Sequence, residues 1–152
     1  YAQLIEEIDK TEGSKPIAVI FNLGVNDLGN AGNYVSYMTS IASTLKSKNC
    51  KLFYMSVNPI NSTMITKAGR GARTEAQVRE FNSKIRSGLS LDYKYIDMYS
   101  VLMKKGYGTN ASYNGTDADS DDGLHYTTKT FKRIYYYCIT YLNTGSINAS
   151  YY

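Results

Sequence analysis

The sequence predicts a single α/β domain in which helices cover both faces of a parallel sheet. Three short segments, 17–23, 51–57 and 93–98, are almost unbroken apolar runs, as is typical of strands buried on both sides. Between and around them lie segments with apolar residues at three- and four-residue steps, the spacing of amphipathic helices. Strands that alternate with helices form parallel sheets, whose ligands bind at the carboxyl ends of the strands. The loops after the first two strands and before the last helix are therefore the places to look for function.

The boundaries of the first two strands are marked by residues that interrupt extended structure. Pro16 and Gly24 bound segment 17–23, because proline lacks a backbone donor and glycine favours turns. Asn58 and Pro59 stop segment 51–57 in the same way. The third strand, 93–98, is the shortest.

Four helices complete the predicted order of helix, strand, helix, strand, helix, strand, long loop and helix. Thr74 and Gln77 have the capping-box spacing that begins a helix. The apolar positions of the four helices are, in chain order, Leu4, Ile5 and Ile8; Tyr34, Tyr37, Met38, Ile41, Ala42 and Leu45; Val78, Phe81, Ile85 and Leu89; and Phe131, Ile134, Tyr135, Cys138 and Leu142.

Composition excludes several classes of protein. A chain of 152 residues with 43% apolar and 20% charged residues fits one globular domain. No stretch approaches the roughly 20 apolar residues that span a bilayer, so we expect no membrane association. The net charge of +4 is modest, and Lys67, Arg70 and Arg73 are interpreted as solvated loop charges, without the dense basic stripe that binds nucleic acid.

The cysteines and an acidic segment give no metal site. Cys50 and Cys138 lack the close spacing of zinc ligands and are predicted to be two buried thiols, with a disulfide left open. Segment 117–121 resembles the start of a calcium loop, but that loop needs glycine at its sixth position and glutamate at its twelfth. Here these are Asp122 and Thr128, so a solvated acidic loop is predicted, with no metal or other cofactor.

Tyrosine is unusually abundant, with 16 residues against 4 phenylalanines. Its apolar ring and polar tip suit half-exposed surfaces and stacking on sugars, although a compositional habit of the source organism explains the same excess. The N-terminus lacks the basic and apolar regions of a signal peptide. The Tyr- and Asn-rich composition favours an extracytoplasmic or secreted bacterial protein.

Two motifs carry candidate chemistry. Gly24-Val-Asn26-Asp27 follows the first strand, and Asp122-Gly-Leu-His125 precedes the last helix, with His125 the single histidine of the chain. Each motif alone is commonly structural: a tight turn that caps a helix, or a surface Asp–His pair. Together they occupy the two places where an α/β enzyme positions its reacting groups, and this combination favours a catalytic interpretation.

With these motifs the sequence resembles the SGNH, or GDSL-like, hydrolases, a family of esterases and lipases built on a three-layer, flavodoxin-like parallel sheet. Gly24-Val-Asn26-Asp27 is similar to the family's third block, and Asp122-Gly-Leu-His125 is similar to its fifth. Segments 57–59 and 81–82 are also similar to family members. The resemblance extends from about residue 17 to residue 142.

The resemblance implies a role for each matching residue. Asn26 would belong to the oxyanion hole through its side-chain amide, and Gly24 through the tight turn that it permits. His125 would be the general base and then the general acid, oriented by Asp122 as in a serine hydrolase triad. Asp27 would support the loop.

The family's first block, Gly-Asp-Ser, and the glycine of its second block are missing, so the nucleophile is unknown. Ser56 lies in a predicted strand and Ser120 in the acidic loop, and neither is at a strand-to-helix elbow. Two βα units of about 30 residues each are expected upstream of Tyr1. Residues 1–152 would then form the C-terminal part of one domain, since without the family's first strand segment 17–23 becomes an exposed edge.

The expected function is that of a serine-type carboxylic-ester hydrolase that removes small O-acyl groups, such as acetyl, from carbohydrate or similar esters. Two alternatives stay open. One is an acyltransferase that uses the same groups and excludes water, and the other is a catalytically dead carbohydrate-binding or structural module with the same fold.

Overall fold

The computed structural model describes residues 1–11, 13–107 and 122–148. Within these ranges the predicted alternation of strands and helices is confirmed. The elements in chain order are α1 (Ala2–Lys10), β1 (Ile17–Phe21), α2 (Ala31–Ser47), β2 (Cys50–Met55), α3 (Ser62–Lys67), α4 (Glu75–Gly88), β3 (Tyr93–Ile96), α5 (Met98–Lys104) and α6 (Thr128–Thr144).

The three strands form one parallel sheet in the order β1, β2, β3. The register places Val19 beside Leu52 and Leu52 beside Tyr93. β2 is central and almost wholly buried. β1 pairs with β2 along one side only, and no strand of the described residues pairs with its other side.

Helices cover both faces of this sheet, as predicted. On one face, Val19, Leu52 and Tyr54 pack in a core that takes in apolar residues of α1, α2 and α4. On the other face, Phe53 and Met55 pack in a second core with residues of α5 and α6. Successive side chains of β2 therefore pack in two separate cores, which explains why the strand is buried and apolar from Leu52 to Met55.

The strands end earlier than the apolar runs predict. β1 ends at Phe21 because the next residue, Asn22, turns its side-chain amide to the carbonyl oxygen of Ser56, with an N–O distance of 2.8 Å. β3 ends at Ile96 because Asp97 caps α5, its carboxylate accepting the backbone N–H of Ser100 at 3.1 Å. A polar side chain therefore ends each of these strands, and the loop that follows β1 lines the site.

Two short helices were not predicted. α3 and α5 have 6 and 7 residues, too few for a periodic apolar face to be recognised. Each has an N-terminal cap, Asn61 for α3 and Asp97 for α5, which is the signal that sequence reasoning missed. The capping box predicted at Thr74 and Gln77 is confirmed.

The prediction of two buried thiols is confirmed, since Cys50 and Cys138 are both buried and unbonded. They lie in the two different cores, on opposite faces of the sheet. Burial raises the pKa of Cys138 to about 11. Neither thiol is therefore placed for metal binding or for nucleophilic chemistry.

Segment 117–121, with Ser120, lies outside the described residues. The described ranges contain no group of three or more His, Cys, Asp or Glu residues that could hold a metal ion. Nor does any helix in them combine the length and apolar character needed to cross a membrane.

Candidate functional site

A cavity of about 170 Å³ opens where the loops after β1 and β2 meet the turn before α6. Asn22 and Leu23 line it from the end of β1, Asn58 lines it from the loop after β2, and His125 and Phe131 close the opposite side. This is the carboxyl end of the parallel strands, the end at which the sequence predicts the site.

The Asp122–His125 turn is held by both oxygens of one carboxylate. Oδ1 of Asp122 accepts the backbone N–H groups of Leu124 and His125, at 3.0 and 2.8 Å. Oδ2 lies 2.8 Å from Nδ1 of His125. The contact between carboxylate and imidazole that the motif spacing permits is therefore present. A neutral imidazole that donates from Nδ1 presents Nε2 as a proton acceptor.

Asp122 is held in its ionised form. Its side chain is only 11% exposed, and this burial acts to raise its pKa. The hydrogen bonds from the backbone and ring of His125 and from the Leu124 N–H outweigh burial and keep the pKa of Asp122 well below its usual range. A permanent negative charge next to Nδ1 is the arrangement that stabilises an imidazolium.

Two contacts fasten this turn to the loop after β2. The backbone N–H of Asn61 donates to the carbonyl oxygen of Gly123 at 2.8 Å, and the hydroxyl of Tyr126 donates to the carbonyl oxygen of Pro59 at 2.5 Å. His125 is thus positioned over the end of β2, although its own side chain is 64% exposed.

The Gly24–Asp27 segment forms a tight turn at the end of β1. The backbone N–H of Asp27 donates to the carbonyl oxygen of Gly24 at 2.9 Å. Gly24 has a φ of +114°, and a Cβ atom here would lie 2.2 Å from Cζ of Phe81, so only glycine fits. The carboxylate of Asp27 accepts the hydroxyl of Tyr34 at 2.9 Å, which ties the turn to α2.

Asn26 is oriented by an arginine. Nη2 of Arg73 donates to Oδ1 of Asn26 at 3.1 Å, and Nε of Arg73 donates to the carbonyl oxygen of Val25 at 3.0 Å. With Oδ1 occupied as an acceptor, the end of the Asn26 side chain left for a ligand is the Nδ2 donor. A donor is what an oxyanion site requires.

A second arginine connects this turn to the catalytic candidates. Nε of Arg70 lies 3.1 Å from Oδ2 of Asp122, the oxygen that also contacts His125. Nη1 of Arg73 donates to the carbonyl oxygen of Arg70. A continuous series of polar contacts therefore joins Asn26 to His125 at one end of the sheet. Arg70 is an exposed loop residue, as predicted, but both arginines also make polar contacts with the two motifs that the sequence did not predict.

The described residues that line the cavity include no serine, threonine or cysteine. Ser56 is unsuitable as a nucleophile because it is fully buried and its hydroxyl oxygen accepts the backbone N–H of Tyr99 at 2.7 Å. Asn58, however, lines the cavity with a buried side-chain oxygen that has no hydrogen-bond partner among the described residues. Sequence reasoning treated Asn58 only as the end of a strand.

Comparison of the chain with models of known families, with curated proteins and with solved structures finds no match.

Proposed function

We propose that the chain supplies the acid–base and oxyanion groups of a serine-type carboxylic-ester hydrolase with an SGNH-like fold. The observation that carries the proposal is the 2.8 Å contact of Asp122 with Nδ1 of His125, at the end of the sheet where Asn26 is held by Arg73. A buried carboxylate, an imidazole and a fixed amide are the groups that acyl transfer through a serine requires.

The proposed reaction uses His125 first as a base and then as an acid. Nε2 of His125 takes the proton of the serine hydroxyl while the serine oxygen attacks the ester carbonyl. The tetrahedral intermediate then collapses, the alkoxide leaves with the proton from Nε2, and an acyl-serine remains. Nε2 then takes a proton from water as the water oxygen attacks the acyl-serine, and it gives this proton to the leaving serine oxygen, which releases the acid and restores the serine.

Asn26 stabilises the negative charge of the tetrahedral intermediate. Its Nδ2 group is the free donor of the side chain, and the guanidinium on Oδ1 draws electron density from the amide, which strengthens that donor. One fixed donor of this type contributes roughly 10²–10³ in rate. Gly24 shapes the turn that presents the amide.

The serine is placed on an upstream segment that adds a strand beside β1. Three features support this placement: the side of β1 that pairs with no described strand, the 64% exposure of His125, and two large apolar side chains at the cavity, Leu23 and Phe131, that are 46% and 54% exposed. A strand in that position would pair with the outer side of β1, whereas an uncovered apolar edge favours aggregation.

The substrate class that fits best is a small O-acyl ester on a carbohydrate. A cavity of about 170 Å³ holds a short acyl group and is too small for a long lipid chain. The unpaired oxygen of Asn58 offers an acceptor for a hydroxyl group of the alcohol portion.

The test is hydrolysis of p-nitrophenyl acetate by a polypeptide that includes the upstream segment. We expect His125→Ala to lower kcat by about 10³-fold or more, and Ser83→Ala, an exposed change on α4, to leave it unaltered. Full activity of His125→Ala would end the proposal.

The absence of a serine from the described lining of the cavity favours one second candidate, a binding module without catalysis. A fluorophosphonate reagent separates the two. If the protein is an enzyme, the reagent is expected to label one serine upstream of Tyr1, and this labelling is expected to require His125. If the protein is a binding module, the reagent is expected to label no serine. Labelling of a polypeptide of residues 1–152 alone would show that the serine does not lie upstream of Tyr1.

A further inference from the structure

A second, polar cleft adjoins the His125 cavity. It has a volume of about 240 Å³ and lies between the turn that contains Asn26 and Gly29 and the segment that contains Arg70 and Arg73. Val25 lines both the cleft and the cavity. A ligand with its ester carbonyl at Asn26 therefore has part of its structure in this cleft.

The cleft has an excess of positive charge. Arg73 donates three hydrogen bonds, and all of its acceptors are uncharged: two carbonyl oxygens and the amide oxygen of Asn26. Arg70 has one carboxylate contact, to Asp122, and Asp122 also serves His125. Among the described residues that line the cleft none is acidic. Of the two guanidinium groups, only that of Arg70 contacts a carboxylate among the described residues.

The donors of Arg70 are available to a ligand. Its side chain is 56% exposed, and only its Nε group is engaged by a described residue. The two terminal NH₂ groups have the planar, forked geometry that binds a carboxylate through parallel hydrogen bonds. Arg73 is half-buried, so its charge is less screened by solvent than that of an ordinary surface arginine.

We propose that this cleft binds a carboxylate carried by the ester substrate, so that the enzyme acts on acidic esters in preference to neutral ones. The substrate part of this inference rests on the proposed hydrolase function, but the anion-binding part does not. The acidic group lies on the portion of the ester next to the oxyanion site, either on a dicarboxylic acyl group or on an acidic sugar.

The binding test uses succinate and its uncharged analogue succinamide, titrated into the intact ¹⁵N-labelled protein. Succinate is expected to shift the backbone amide signals of Gly29, Gly71 and Gln77 in a saturable way, and succinamide is not. Arg73→Gln and Arg70→Gln are each expected to weaken succinate binding at least about fivefold, as the loss of a charge-assisted contact on a partly exposed group requires.

Arg86→Gln is the matched control. It removes the same charge from the same helix that carries Gln77, nine residues or about 13 Å further along, and it lies outside the cleft. It is expected to bind succinate like the parent protein. Because Arg70 is exposed, Arg70→Gln reports on the cleft even if Arg73→Gln disturbs the turn. Parent-like succinate affinity in Arg70→Gln, or equal shifts from succinamide, would overturn the proposal.

The kinetic test compares the p-nitrophenyl esters of succinic acid, which carries a free carboxylate, and of butyric acid, which is neutral. The parent is expected to show a higher kcat/KM for the succinate ester, and Arg70→Gln is expected to lower that preference at least about fivefold. An unchanged preference contradicts the inference. Failure to hydrolyse either ester contradicts the hydrolase proposal alone, since succinate binding is measured without turnover.

Discussion

At the level of single residues, the two oxygens of Asp122 have separate partners. Oδ1 accepts two backbone N–H groups and shapes the turn, while Oδ2 faces Nδ1 of His125 and Nε of Arg70. A substitution that alters only Oδ2 therefore separates the catalytic role from the structural one. Asn is that substitution, because its remaining oxygen can keep the two backbone contacts.

Asp122→Asn is expected to lower kcat for ester hydrolysis by about 10⁴-fold, because an NH₂ group would face the Nδ1–H of His125 and favour the wrong tautomer. Unfolding free energy should fall by only about 1–3 kcal/mol. Steady-state kinetics and urea unfolding measure the two effects. Activity within tenfold of the parent would contradict the assigned role.

The same variant has a defined pH signature. Since the folded-state pKa of Asp122 is depressed, the stability it contributes is fully present above the unfolded pKa of about 3.9. It is lost as pH falls through the lower folded value. The difference in unfolding free energy between parent and Asp122→Asn should thus be constant above about pH 5 and shrink below about pH 4.

In the first motif, Gly24 is required for a steric reason. Gly24→Ala should lower the unfolding free energy by about 2–5 kcal/mol, since it adds a left-handed alanine and a clash with Phe81. Gly29→Ala, five residues along the same loop, meets no atom within 4 Å and should change it by less than about 1 kcal/mol. Equal effects of the two variants in thermal or urea unfolding would contradict this account.

At the level of elements, α4 holds the loop after β2 in place. The buried side chain of Asn82 accepts the backbone N–H of Val57 at 2.8 Å and donates to its carbonyl oxygen at 2.9 Å. One amide thereby satisfies both polar groups of a backbone unit that has left the sheet but remains buried. The position of Asn58 in the cavity depends on these two hydrogen bonds.

Asn82→Ala should therefore lower the unfolding free energy by about 2–4 kcal/mol, because two buried backbone groups lose their partner. It should also lower ester hydrolysis through displacement of the cavity wall. Ser83→Ala, on the exposed side of the same helix, is the control and should stay within about 0.5 kcal/mol. Equal unfolding midpoints for the two variants would show that these two hydrogen bonds do not contribute to stability.

At the level of the whole molecule, the outer side of β1 pairs with no strand of the described residues. The exposed Ala18 of β1 lies on it, and Phe131 and Tyr135 of α6 are also exposed. Residues 1–152 alone should self-associate at micromolar concentrations, because an apolar strand with free backbone groups pairs with another chain.

Ala18→Glu is expected to reduce this association, since a charge on an edge strand opposes pairing. Ser83→Glu places the same charge on α4, near β3 instead of β1, and is expected to leave association through β1 unaltered. Sedimentation velocity distinguishes the outcomes. A parent chain that is monomeric and unfolds cooperatively would remove the main structural support for an additional strand beside β1.

The order of strands and helices could be predicted because it depends on local periodicity. A residue in a strand shares its face with residues two positions away, and one in a helix with residues three and four positions away, so burial leaves a pattern in the sequence. The short helices α3 and α5 were missed because six or seven residues are too few to repeat that pattern.

The candidate site also has a part that could be predicted from the sequence and a part that could not. The contact between Asp122 and His125 could be predicted from the sequence alone, because residues three positions apart in a turn lie close together. The roles of Arg73 and Arg70 depend on the tertiary structure, since these side chains contact residues 47 and 52 positions away. Such contacts depend on how two loops approach each other over the end of the sheet. Contacts between residues so far apart in the sequence leave no periodic pattern along the chain.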